Sequence, residues 1–135
     1  MTYNELNGIY YIKKEIERDR ARIRELRERA ESTVGSGTGM WGPHAGVVDR
    51  VGCCVAAMVD LERAVDANLW RLYRKEAEVT AFIDSVADPR LRAILKLRFI
   101  DCLSWRAVAQ RLGAGETENG ALKAVRRFLR EAGVE

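Results

Sequence analysis

Seven residues near the C-terminus carry the chemistry most easily read from this sequence: Thr117, Asn119, Leu122, Lys123, Arg126, Arg127 and Arg130. From Asn119 onward their spacing brings them to one side of a helix, while Ala121, Val125, Phe128 and Leu129 take the other side. Cations in such a row neutralise phosphates, and an Arg guanidinium fits a guanine edge with two parallel hydrogen bonds. Asn119, Gly120 and Ala121 are small enough to let a helix N-terminus approach bases. The pattern points to double-stranded DNA as a partner, set against the plainer reading of a solvated basic face.

Other chemistries find little support. His44 is the single histidine, so a triad built on a positioned imidazole depends on one residue. Cys53 and Cys54 are adjacent and Cys102 stands apart, so no CxxC pair exists to found a tetrahedral zinc site. The odd cysteine count also argues against a disulfide scaffold. Asp60, Glu62 and Asp66 are the one candidate metal cluster, with no second acidic cluster to complete it. The glycines of residues 32–46 are not followed by the Lys of a phosphate-binding loop. No catalytic residue, metal or cofactor is expected, and an enzyme is the weakest reading.

The 135 residues carry 23 Lys and Arg against 20 Asp and Glu, a net charge of +3. That small total hides an asymmetry. Residues 1–88 hold 13 basic and 15 acidic side chains, whereas residues 89–135 hold 10 and 5. The last third is the cationic part. The apolar run 51–59 is far short of the ~20 residues that span a membrane. The first residues lack the pattern of a secretory signal, so a cytoplasmic location is expected.

The elements that must position these residues are helical, because Arg, Glu, Leu and Ala dominate and only two prolines interrupt. From residue 3 to about 31, Ile9, Ile12, Ile16, Ile23, Leu26 and Ala30 form a heptad seam with Asp19 as its polar interruption. Residues 32–46 hold five glycines and no charge, which predicts a loop around Met40 and Trp41. A second long helix from about 47 to 84 repeats Val51, Met58, Val65, Leu72 and Val79 at seven-residue steps. Cys54, Leu61 and Phe82 occupy three intervening positions, and Asn68 and Lys75 the other two. Residues 1–86 are therefore expected to form a helical hairpin or coiled-coil scaffold, able to pair with a second copy as a homodimer.

Residues 87–135 form the second expected domain. Asp88 caps a helix with Pro89 at its first position, running through Leu91, Ile94, Leu95, Leu97 and Phe99 to about Asp101. Ser104 caps a short helix that ends at Gly113, with Trp105 as a core anchor, and Thr117 caps the last helix. A short helix, a glycine-containing turn and a basic amphipathic helix make a helix-turn-helix, whose second helix is shaped for the DNA major groove.

Residues 91–113, LRAILKLRFIDCLSWRAVAQRLG, resemble the region-4 helix-turn-helix of sigma-70-type factors. The similarity is greatest to phage-encoded regulators of the RinA and ArpU type. It is carried by Arg92, Ile94, Leu95, Leu97, Arg98, Phe99, Ile100, Ser104, Trp105, Val108, Ala109, Leu112 and Gly113, and extends more thinly over residues 35–131. The turn Gly113-Ala114-Gly115-Glu116 is longer than that family's, and Ala121 stands where Val or Leu is usual. The resemblance implies a transcription regulator of a phage or prophage in a bacterial host cell. It implies contact with promoter DNA, RNA polymerase as a further partner, and packing or backbone-contact roles for Arg92 and Arg98. The alternatives are a polymerase-binding module with little DNA affinity and a small-terminase-like packaging component.

Overall fold

The alternation of apolar and charged residues produces an all-α chain. The structure, a computed structural model, describes residues 1–36, 44–113 and 115–133. Its helices are α1 (Tyr3–Leu6), α2 (Gly8–Ser36), α3 (His44–Asp84), α4 (Pro89–Leu95), α5 (Trp105–Leu112) and α6 (Glu118–Glu131), with a π-helical turn over Lys96–Ile100 after α4. No strand occurs among the described residues, and none of their helices is long and apolar enough to cross a membrane.

Both flanking helices reach into the stretch 32–46 expected as a loop. α2 runs on to Ser36 and α3 begins at His44. Extending a helix already nucleated adds one hydrogen bond per residue fixed, so Ser, Thr and Val are carried along at a cost of under ~1 kcal/mol each. Met40 and Trp41 lie outside the described residues.

The contacts group the chain into two compact units, residues 14–70 and residues 1–13 with 71–135. In the first, α2 and α3 run antiparallel, with Ile16, Ile23, Leu26 and Val65 buried between them. Asn68 is buried in that seam and is tolerated because its Nδ2 donates to Glu15 Oε2 at 3.3 Å.

In the second unit the start of the N-terminal helices and the end of α3 join the C-terminal helices. Leu6, Ile9, Val79 and Ile83 share one core with Leu95, Phe99, Val108 and Val125. This grouping departs from the division at 86/87. Three short helices cannot cover their own apolar faces, and the cover comes from the ends of the long ones. Two further contacts bind the same unit. Lys13 Nζ donates to Ile100 O at 2.9 Å, meeting a carbonyl at the end of the π turn, and lies 3.6 Å from Glu76. The Lys75 stem passes so close to Gly8 that a Cβ there would sit 3.3 Å from Lys75 Cε.

Candidate nucleic-acid interface

The C-terminal part is assembled from capped helices. Asp88 Oδ1 accepts from Arg90 N–H at 2.9 Å and starts α4. The helix does not continue regularly to Asp101, as its apolar pattern suggests. Lys96–Ile100 opens into a π turn closed by Asp101 N–H to Lys96 O at 3.1 Å. Cys102 follows with φ +57°, a left-handed conformation that non-glycine residues adopt at some cost. Burial also pushes its thiol pKa up.

Arg92 and Arg98 hold this connection in place. Arg92 Nη1 donates to Val86 O at 2.6 Å and Ala87 O at 3.2 Å, tying the end of α3 to α4. Arg98 Nη1 donates to Leu103 O at 2.8 Å, and its guanidinium lies 5.0 Å from the centre of the Trp105 ring. Trp105 is half-buried, not a central anchor. Its position at the first turn of α5 leaves one side of the indole to the Arg98 cation, where the ring quadrupole attracts it.

Ser104 Oγ accepts from Ala107 N–H at 3.2 Å to begin α5. Gly113, at φ +61°, ends it, and Gly115 turns the chain again at φ +79°. Glycine adopts these angles without steric penalty, which is why the turn can be this tight. Thr117 Oγ1 then accepts from Gly120 N–H at 3.0 Å and opens α6. An added Cβ on Gly120 would lie 2.9 Å from that oxygen, so a larger residue there would require the cap to shift. Thr117→Ala is expected to lower stability by about 1 kcal/mol in chemical denaturation. An unchanged midpoint would mean that the cap contributes nothing.

The inter-helix turn carries an ion pair absent from the motif reasoning. Arg90 donates through Nε to Glu116 Oε1 at 2.5 Å and through Nη2 to Oε2 at 3.0 Å. The Arg90 guanidinium holds the Glu116 carboxyl below its ordinary pKa. A depressed carboxyl stabilises the fold fully above the ordinary glutamate pKa, and this contribution is lost as pH falls through the lowered value. Glu116→Gln is therefore expected to remove part of the acid-side loss of melting temperature. The effect stays under about 1 kcal/mol because Arg90 is half-exposed. An acid limb identical to that of the wild type would contradict it. The sequence held no short-range signal for this pair, because 26 positions separate its members.

On α6 itself, Ala121, Val125 and Leu129 are buried, and Phe82 and Phe128 meet at 6.2 Å between ring centroids. Asn119, Lys123, Arg126, Arg127 and Arg130 are exposed together on the opposite side. Thr117 is exposed as well, with its hydroxyl engaged in the cap, and Leu122 is half-buried at the edge between the two faces. Among the described residues no ion pair engages Lys123, Arg126 or Arg127. Arg106 and Arg111 on α5 are also exposed cations that the sequence reasoning passed over. Their own short helix placed them on its polar side, which was the available signal.

The acidic cluster does not assemble. At ~100° per residue Asp60 points away from Glu62 and Asp66, and the described residues contain no group of three side chains suited to a metal ion. No protein-family model matches the chain, and neither a curated protein nor a solved structure matches it.

Proposed function

We propose that this protein is a DNA-binding transcription regulator that inserts α6 into the major groove. The observation that carries this reading is the exposed row Asn119, Lys123, Arg126, Arg127 and Arg130, backed by the buried row Ala121, Val125 and Leu129. Four of the five are cations, and no partner in the fold accounts for Lys123, Arg126 and Arg127 together. A helix anchored on one side, with exposed cations on the other, is the arrangement that groove binding needs.

Support comes also from what holds the helix. α6 packs against both α4 and α5, and the Arg90–Glu116 pair fixes the turn that leads into it. A reading helix must be held to within a fraction of its side-chain reach, since base-edge hydrogen bonds tolerate little displacement. Arg126, Arg127 and Arg130 lie toward the far end and suit phosphates. Asn119 and Lys123 lie in the first turns, where helices of this type meet base edges. The likeness of residues 91–113 to phage-encoded sigma-region-4-like regulators agrees with promoter DNA as the target.

Selection from a random-sequence duplex pool tests the proposal. The expected outcome is enrichment of a defined motif, whose symmetry then reports how many copies bind. A pool left unenriched, with no duplex retained even at low salt, would overturn it. RNA polymerase binding under those same conditions would point to a protein-contact module.

A further inference from the structure

Within the unit of residues 14–70, one face of α3 is left uncovered. Met58, Leu61, Val65 and Asn68 are buried or half-buried in the seam, whereas Gly52, Ala56, Val59, Arg63, Ala67 and Trp70 are all exposed. The exposed set recurs at steps of four and three, so it runs as one row along the side of α3 opposite the seam. Trp70 is 70% exposed and Val59 39%. Contiguous exposed apolar surface of this kind commonly marks an interaction site.

The row is complementary to itself in charge and in size. Asp60 borders it one turn before Arg63, and both are exposed. Among the described residues no ion pair engages either of them. The ends of the row differ most in bulk, with Trp70 at one and Gly52 at the other, where an added Cβ would meet nothing within 4 Å. Two copies of α3 laid antiparallel about a two-fold axis between positions 61 and 62 set Asp60 against the partner's Arg63, and Arg63 against the partner's Asp60. The same register sets Ala56 against the partner's Ala67, lays Val59 on the stem of the partner's Arg63, and seats Trp70 over the partner's Gly52. These contacts arise together because 60 and 63, 56 and 67, and 52 and 70 are spaced about nearly the same midpoint. Glycine and alanine at the crossing let two helices approach to roughly 8 Å. A parallel pairing would instead oppose Asp60 to Asp60 and Arg63 to Arg63, which like-charge repulsion disfavours. A foreign helix of one charge sign would answer only one of the two residues, whereas a second copy answers both.

We propose that the protein forms an antiparallel two-fold dimer through this outer face of α3, held by reciprocal Asp60–Arg63 pairs and by Trp70 seated over the partner's Gly52. The surface uses no residue of α6, so its failure is distinguishable from failure of the DNA reading.

Sedimentation equilibrium of the full chain without DNA, over a concentration series, tests it. The wild type is expected to form a species of twice the monomer mass. Asp60→Arg alone and Arg63→Asp alone each oppose like charges across the axis, and each is expected to be monomeric at concentrations where the wild type is dimeric. An equimolar mixture of these two variants restores both opposite-charge pairs and is expected to dimerise again. Trp70→Ala is expected to raise the dissociation constant about tenfold or more. Circular dichroism is expected to find every variant as helical as the wild type, since all three positions are exposed. A monomeric wild type, an assembly larger than a dimer, a dimer that survives either charge reversal, or a mixture that stays monomeric would each overturn the proposal.

Discussion

Phe99→Ala is expected to lower stability by about 3–5 kcal/mol in chemical denaturation followed by circular dichroism. Phe99 is 2% exposed and lies among Leu6, Ile9, Val79, Ile94, Leu95, Val108 and Val125. Its ring also meets Tyr3 edge-to-face at a centroid distance of 5.6 Å. Truncation leaves a cavity in a core that draws side chains from six helices, which cannot collapse without moving several of them at once. Such a loss is comparable to the whole stability of many small domains. The N-terminal residues and the helix-turn-helix contribute to the same core, so they are expected to unfold in one transition. A loss below about 1 kcal/mol, or separate melting of the two segments, would contradict this description of the core.

Arg126→Ala with Arg127→Ala is expected to weaken duplex binding about ten- to a hundredfold at moderate salt, with the melting temperature nearly unchanged. Both side chains are exposed, and neither supports a contact within the described fold. Their removal subtracts cations without opening the Ala121–Val125–Leu129 face. Affinity should fall similarly for all duplex sequences, because phosphates are alike. Fluorescence anisotropy alongside thermal melting measures both quantities. Full affinity in the double variant would take these residues out of the interface, and a large fall in melting temperature would give them a structural role instead.

Much of the architecture was legible because it rests on local rules. The Asp88, Ser104 and Thr117 caps each satisfy orphan N–H groups within three residues, so short patterns reveal them. The seam of Ile9, Ile16, Ile23 and Leu26 is a periodicity of one helix and needs no knowledge of its partner. What escaped depends on distant residues. The π turn at Lys96–Ile100 lies in a stretch whose Phe99 seats in a core built from both ends of the chain, and the apolar pattern of that stretch fits an ordinary helix equally well. The sharing of Leu6 and Ile83 with Val108 and Val125 likewise arises in packing, which moved the grouping away from 86/87. Trp105 reads as a core residue by type, yet it is only half-buried and the Arg98 guanidinium lies 5.0 Å from its ring centre. The basic face of α6 was legible as a pattern. The Arg90–Glu116 pair that fixes the turn before it was not, because charged residues at such separation give no periodic signal.

The central claim is that α6 presents its cations to DNA phosphates, and the salt dependence of duplex binding by the unmodified protein tests it most directly. Each phosphate neutralised contributes about −0.9 to the slope of log affinity against log salt, so four cations predict a slope of about −3 to −4. A slope in that range supports the account. A slope near zero, or no binding to duplex at low salt, would contradict it.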